Sequence, residues 1–410
     1  MPESGNSGGK PCFSGEKLGS VGDPEAVGAG LYDGAVSTAE LLARRLANQQ
    51  LAAQQSADPV DVTRWLGAVQ SQEYAQSLWA LGLRTKGSTA ASIEAAIDRG
   101  AILRTWPMRG TIHLVPAEDA RWMVHLLAGR PVRLVRNMYR KIGLTDDVFA
   151  LAADVVTGAL RGGRQLPRKD LYALLTDAGI DCSASPNGGR GNHILGYLSH
   201  TGLLCIGPVR RGQPVFVLLD EWAPAPRTPA EPLAELAVRY FGSHGPATVR
   251  DFAWWSGLTL ADTRRAIELA GPALAAEDRG GELYWDAAGP GRQQATSPEG
   301  AYLLPAFDEY TVAYKNRGLL LGGGGPPAKS DQANADLLNP VMLLDGRAAG
   351  LWKRVVVGKS VQISLAPYGR LGGPDRSRLA AAAERYAAFL GLAAEVSWAA
   401  PDDVRRMRWA

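Results

Sequence analysis

The chain has 410 residues, 46% of them hydrophobic and 21% charged, which is enough to bury a sizeable core in two to four compact units. Its 44 Lys and Arg against 41 Asp and Glu leave a net charge of +3, which permits nucleic-acid binding without demanding it. No apolar run reaches the roughly 18 residues that span a bilayer and the start is no secretory signal, so the expected location is cytoplasmic; Cys12, Cys182 and Cys205 are too scattered for a disulfide framework.

Residues 1 to about 35 are rich in Gly, Ser and Pro without apolar periodicity, and are expected to be a disordered tail that carries no chemistry. A first unit is expected over 36–150. Ser37 is an N-cap candidate, and Leu41, Leu42, Leu46 and Leu51 follow at helical spacing. Pro59 opens a second predicted helix with Val62, Trp65, Leu66 and Val69 on one face, so Gln70 and Gln72 are expected near its end. Leu78 to Leu83 suits a strand or a buried helix segment. Between Asp119 and Asp146 the chain has no acid but carries Arg121, Arg130, Arg133, Arg136, Arg140 and Lys141, with Arg161, Arg164, Arg168 and Lys169 close behind. That local density suits phosphate binding; its plainer reading is a solvated helix face.

A second unit is expected over 151–223: a helix at Arg168 to Asp177, a turn, a helix at Asn192 to Thr201, then two apolar segments flanking Arg210-Arg211-Gly212. Helix, turn, helix, hairpin is the winged-helix order. It recurs over 233–300, with helices at Leu233 to Tyr240, Val249 to Trp255 and Leu260 to Leu269 and a strand at Glu282 to Trp285. Four prolines between Pro224 and Pro232 mark an extended linker. Over 301–410 a β-rich region is predicted, with strands at Val341 to Leu344, Arg354 to Val357 and Val361 to Ala366 and a closing helix at Ser377 to Leu390. The loop Gly322 to Pro327 lacks the Lys-Ser/Thr ending of a nucleotide-binding loop. The expected class is therefore α+β: tandem winged-helix (helix-turn-helix) modules with a C-terminal β-rich region.

His113, His125, His193, His200 and His244 show no zinc-site spacing, and neither a Gly-x-Ser-x-Gly elbow nor a dinucleotide fingerprint is present. No metal or cofactor is expected. What remains is polar and compact: Gln70-Ser71-Gln72, and then Arg104-Thr105-Trp106 and Arg109-Gly110-Thr111-Ile112-His113. Taken alone, two glutamines at a helix end cap carbonyls or face solvent.

The stretch Trp65-Leu66-Gly67-Ala68-Val69-Gln70-Ser71-Gln72, the Arg104 to His113 residues, and Leu303-Leu304-Pro305-Ala306-Phe307-Asp308-Glu309-Tyr310 together resemble the AlkZ/YcaQ-like (AlkX) winged-helix DNA glycosylase family, from about Ser37 to the C-terminus. The resemblance implies a C-shaped set of three winged-helix units and removal of bulky N7-alkylated purines, including interstrand cross-links. Gln70-Ser71-Gln72 is similar to the branch with two glutamines, associated with self-resistance to DNA-alkylating natural products. Ser71 stands where an apolar residue is usual.

An N7-alkylated guanine is already a cationic leaving group, so the site needs to hold a water in line and tolerate an oxocarbenium-like sugar. Gln70 and Gln72 fit that role, since an amide accepts and donates but does not deprotonate water. Arg109 or His113 is expected to touch a phosphate or order the triplet, with a core role for His113 as the alternative. Asp308 is expected to support the sugar cation or to act as a backbone cap. No Lys stands in the triplet, so a monofunctional enzyme is expected, acting as a monomer on double-stranded DNA gripped by Arg130, Arg133, Arg136, Arg140, Lys141, Arg210 and Arg211. The competing readings are a winged-helix transcriptional regulator without catalytic activity and a protein that sequesters a DNA-damaging metabolite.

Overall fold

A computed structural model describes residues 37–183, 189–223, 225–289, 297–321, 331–400 and 402–403. The expected N-terminal tail and the Gly322 to Pro327 loop lie outside the described residues. Ser37 caps helix α1 (Thr38–Asn48) by accepting from the Glu40 amide, and Asp58 with Pro59 opens α2 (Pro59–Leu66). Gly67, at φ 78°, ends α2 and turns the chain into a short strand, β1 (Val69–Gln70). The glutamine triplet therefore starts on a strand, not on the helix end that periodicity suggested; the helix stops four residues earlier because Gly67 adopts a conformation closed to most side chains.

Helices α3 (Tyr74–Gly82) and α4 (Ala90–Asp98) follow, and then the hairpin β2 (Ile102–Met108) and β3 (Thr111–Pro116). Leu78 to Leu83 is thus helical almost throughout. Beyond β3 come α5 (Ala120–Leu127) and the basic helix α6 (Gly129–Lys141), which begins the passage to the next unit.

That unit comprises α7 (Asp146–Leu160), β4 (Leu166–Pro167), α8 (Arg168–Asp177), α9 (Arg190–His200), and the hairpin β5 (Leu204–Arg210) and β6 (Gln213–Leu218). After the short α10 (Leu219–Trp222), the order returns as α11 (Pro232–His244), α12 (Val249–Ser256), α13 (Leu260–Ala270) and the hairpin β7 (Leu274–Arg279) and β8 (Glu282–Ala287). The chain then runs through β9 (Ala301–Leu304), α14 (Glu309–Val312), α15 (Asp331–Asp336), β10 (Val341–Leu344), β11 (Arg347–Val357), β12 (Ser360–Pro367), α16 (Gly373–Leu390) and β13 (Ala393–Trp398). The C-terminal strands form one five-stranded sheet in the order β13-β12-β11-β10-β9.

One topology is written three times. In each unit a helix leads to a short extended segment, two helices and a hairpin, and the short segment pairs with the hairpin's second strand. The pairs are Gln70 with His113, Leu166 with Phe216, and Ala247 with Trp285. The glutamine triplet thus occupies, in the first unit, the place that Leu166-Pro167 and Ala247 hold in the others. Strands β2 and β5 meet at Arg104 and Ile206, which joins the first two hairpins in one six-stranded sheet with β1 at its edge.

Three apolar clusters carry the fold. One joins α2, α3 and α4 to the C-terminal sheet and α16, with Trp79 packed on Tyr386 and Phe389. A second lies around Tyr240, Phe241, Phe252 and Trp255, and a third fills the middle unit around Phe149, Leu171 and Phe216. Helix α1 is tied to the third unit by charge. Arg44 donates to Glu277 at 2.9 Å and Asp286 at 2.5 Å, Asn48 to the Gly245 carbonyl and Asp286, and Arg45 to the Pro246 carbonyl.

Arg44 is buried with both carboxylates, so Arg44→Ala leaves two charges in the interior without their cation. A loss of about 3–5 kcal/mol is expected, read as a lower denaturant midpoint at unchanged slope. An unchanged midpoint would show that the ion cluster does not hold α1 in place.

Candidate functional site

The first two sequence motifs are neighbouring strands. Gln70 faces His113 across the β1–β3 ladder, the Ser71 amide donates to the Ile112 carbonyl at 2.7 Å, and the Ile112 amide donates to Gln72 Oε1 at 2.6 Å. Alternation along the strand turns the Gln70 side chain away from those of Val69 and Ser71, which point into the protein, and Gln72 follows in the bend after the strand. Gln70 is half-buried and Gln72 exposed, whereas Ser71 is buried. The Ser71 hydroxyl meets that of Ser77 at 2.7 Å and accepts from Arg104 Nε at 2.9 Å, and Arg104 Nη2 donates to the Ser71 carbonyl at 2.7 Å. The unusual polar residue in the middle of the triplet is thus an anchor for Arg104, itself buried beside the Tyr74 ring.

The second motif is a hairpin turn. Met108 pairs with Thr111, leaving Arg109-Gly110 as a two-residue connection with φ of 55° and 70°. Positive φ at both central positions matches the right-handed twist of the strands; Gly110 accepts it freely, while Arg109 does so at a cost of about 1 kcal/mol. The return is placement. Arg109 Nη2 lies 3.3 Å from Gln70 Oε1 and 3.1 Å from His113 Nε2. Since His113 Nδ1 lies 3.0 Å from the Thr111 carbonyl, Nδ1 carries the proton and Nε2 accepts from Arg109. Burial, and then the Arg109 charge, push the His113 pKa down to about 3, so this imidazole is neutral at physiological pH. The two donors also fix the amides: each glutamine oxygen is held by the protein, by Arg109 for Gln70 and by the Ile112 amide for Gln72, while both amide nitrogens lack a protein partner among the described residues.

A carboxylate absent from the expected site residues completes it. Glu309 Oε1 accepts from the Gln70 amide at 3.0 Å, and Oε2 accepts from Trp255 Nε1 at 2.9 Å and sits 3.4 Å from His244 Nε2. Burial opposes its charge, but His244 and then Arg109 outweigh burial and hold Glu309 down at about 2. Its neighbour Asp308 turns the other way. Asp308 accepts from Arg84 at 2.7 and 2.8 Å and caps α14 through the Tyr310 amide, with both partners fully buried. The Asp308-Glu309 pair thus divides between a structural cap and the triplet, and the acidic doublet in the third motif was the signal for Glu309.

The basic residues lie on the surface. Helix α6 exposes Arg130, Arg133, Arg136, Arg140 and Lys141. Arg130 Nη1 donates to the Gly257 carbonyl at 2.6 Å, and a Cβ on Gly257 would lie 3.2 Å from Arg109 Cγ, so the start of the helix is linked to Gln70 through Gly257 and Arg109. Arg136 pairs with Asp146 at 3.2 Å. Arg210 is drawn to Asp98 at 3.0 Å, and Arg211 stands exposed in the β5–β6 turn. Among the described residues no group of three or more His, Cys, Asp and Glu is arranged to hold a metal ion, and no helix is long and apolar enough to cross a membrane.

A family model described as "DNA glycosylase AlkZ-like" matches residues 63–389. The chain is 27% identical over 386 residues to the "Interstrand DNA cross-link repair glycosylase" of Streptomyces sahachiroi, covering 87% of this chain and 96% of that protein. The solved structure of the Streptomyces sahachiroi DNA glycosylase AlkZ superposes with a TM-score of 0.70 at 22% identity, over 88% of this chain and 100% of that one, and shows the same mixed helix-and-sheet fold.

Two measurements follow from the geometry. His113 titrates near 6.5 when unfolded and near 3 when folded, so its linkage is nil above pH 6.5 and costs stability as pH falls towards 3, where the unfolded chain alone takes up the proton. Glu309, lowered from 4.5 to about 2, adds loss of the same sign only below about 4.5. Between pH 6.5 and 4.5, His113→Gln is therefore expected to flatten the fall in unfolding free energy by up to one proton per molecule, and an unaltered slope would place the imidazole in water. Asp308→Asn is expected to lower stability by about 3 kcal/mol through the stranded Arg84, and to leave the pH profile of the rate in place. A shifted profile with intact stability would return Asp308 to the chemistry.

Proposed function

The chain belongs to the AlkZ-like DNA glycosylase family, and from that membership we propose that it hydrolyses the N-glycosidic bond of bulky N7-alkylated purines in duplex DNA. Interstrand cross-links are included, in keeping with the name of the Streptomyces sahachiroi relative. The observation that carries this reading is the pair of amides at the end of an edge strand and in the bend after it, each with its oxygen held by a protein donor and its nitrogen unclaimed.

The leaving purine is cationic before the reaction starts, so bond breaking needs no strong acid. A water is required beside the anomeric carbon on the face opposite the base. Each amide nitrogen of Gln70 and Gln72 donates to that water or to a sugar or phosphate oxygen, and the second lone pair of each carbonyl oxygen accepts a water hydrogen. The water's own lone pair is thereby aimed rather than activated, because a glutamine does not take its proton. Neutral His113 adds no cation against the developing oxocarbenium ion. Buried Glu309 contributes a fixed negative charge at the backbone of Gln70. No lysine stands in the triplet, which favours a monofunctional glycosylase over one that cleaves the strand through a Schiff base.

Position suits large lesions. Glycosylases that flip a base into a closed pocket are limited by its volume. Gln70, half-buried, ends the outermost strand of a sheet and Gln72, exposed, lies in the bend that follows, so a bulky adduct or a cross-linked second strand meets them without entering a cavity. The exposed basic face of α6, anchored to the Gly257 turn by Arg130, is assigned to the phosphate backbone. We take the enzyme to be a cytoplasmic monomer acting in the repair of alkylated DNA, since the three repeated units already sit in one chain.

The test is release of modified base from a duplex bearing one N7-alkylguanine. Gln70→Ala and Gln72→Ala are each expected to slow release by roughly 10² to 10³, as for other lost oriented donors, and wild-type rates in both would remove the triplet from the mechanism. Tight binding of intact duplex with no release by wild type would favour the regulator. Affinity is expected to fall steeply between about 50 and 200 mM salt. Neutralising Arg133 and Arg140 together should flatten that fall, and an unchanged salt slope would take α6 off the DNA.

A further inference from the structure

Arg317 lies just beyond α14 and belongs to none of the three motifs. The segment that presents it is tied down residue by residue: Trp254 Nε1 donates to the Val312 carbonyl at 2.9 Å, Tyr240 to that of Ala313 at 3.0 Å, Tyr314 to that of His244 at 2.8 Å, and the Lys315 amide to Asp251 at 2.8 Å. The Arg317 guanidinium carbon sits 5.7 Å from the ring centre of Trp254, a tryptophan that is 44% exposed although its neighbour Trp255 is buried against Glu309. Trp254 stands on α12, and the Gly257 turn ending that helix packs on Arg109.

Two guanidinium groups at this corner are left incompletely partnered by the protein. Arg317 has a buried Nε without a partner, as has Arg109, and among the described residues no carboxylate pairs with either at salt-bridge distance. Glu309 is already engaged by the Gln70 amide and Trp255. Burial, reinforced by the charge of Arg109, pulls Arg317 down to about 10, which still leaves it cationic at neutral pH. The Glu309 charge offsets that of Arg109, but the second guanidinium, close enough to be repelled by Arg109, leaves a net positive charge out of water, which an anion with several acceptor oxygens offsets.

We propose that Arg317 and Arg109 together bind one phosphodiester of the lesion-bearing strand beside Gln70, with the Trp254 face orienting the Arg317 fork. This rests on the glycosylase reading above, because the anion is taken to be DNA. Arg109 holds both the phosphate and the Gln70 carbonyl, so the clamp sets the distance from the backbone to the amide that orients water. Arg317 is a positioning residue here: it fixes the strand and touches no reacting atom.

The experiment is a scan in which each phosphodiester near the N7-alkylguanine is replaced in turn by a neutral methylphosphonate. Binding and base release are measured for wild type, Arg317→Ala and Arg317→Lys. One linkage is expected at which neutralisation weakens wild-type binding roughly tenfold and Arg317→Ala by clearly less, the remainder being the Arg109 contact, and the variant should show a salt slope smaller by about 0.9. Arg317→Lys should recover the slope, since it keeps the charge, but only part of the affinity, since it lacks the fork. The wild-type scan requires no variant and stands if Arg317→Ala folds poorly. An undiminished slope in the variant, or no linkage that couples to Arg317, overturns the clamp, as does competition by inorganic phosphate with no linkage effect. Base release by wild type with no coupling sinks the clamp alone, whereas coupling without release sinks the glycosylase reading alone.

Discussion

The buried carboxylate of Glu309 joins parts of the chain that are far apart in sequence. It receives the backbone amide of Gln70 from the first unit and the indole of Trp255 from the third, it lies against His244, and it is itself carried by the segment that leads into the C-terminal sheet. A buried charge is stable only while its partners stay in place. The arrangement therefore makes the geometry of the triplet depend on the docking of units that fold around separate cores. Arg84 with Asp308 repeats the logic one residue earlier, with the α3–α4 connection as partner.

Strain and polarity are concentrated at the same place. Arg109 occupies a turn position that glycine fills more easily, and from there it reaches Gln70 and His113 together. His113 is kept neutral and serves as an acceptor, which orients the guanidinium rather than adding a second cation. The glutamine amides are thus presented by a rigid set of hydrogen bonds. That suits a reaction whose leaving group is activated in advance and which asks the protein for placement instead of proton transfer.

Repetition supplies the platform. All three units pair a short extended segment with the second strand of a hairpin, and only the first has amide side chains there; the second has Leu166-Pro167 and the third a single bridge at Ala247. A scaffold element that closes a small sheet in two copies carries, in the first unit, the amides proposed as the site. The basic helix α6, leaving the first unit, starts at the Gly257 turn of the third, so the cationic surface is set by contacts between units.

Sequence periodicity and caps were sufficient for much of the local structure. Ser37, Pro59, the helices near Arg168, Val249 and Leu260, the hairpin around Arg211-Gly212 and the closing helix are all local signals, written in residues within one turn of each other. The three motifs also identified the family, although periodicity placed Gln70 at a helix end and not on the strand it occupies. Other features required the folded chain. The strand character of the triplet depended on a β3 partner some forty residues away, and β9 and β13 form only because distant strands pair with them. Ser71 looked like a departure from pattern until Arg104 supplied its hydrogen bond. In Asp308-Glu309, adjacent carboxylates of the same chemistry face opposite ways, one to Arg84 and one to Gln70. Sequence determines which groups are available and what local shape each prefers, but the partner of a buried charge is chosen by packing, because only tertiary structure excludes the water that would otherwise satisfy it.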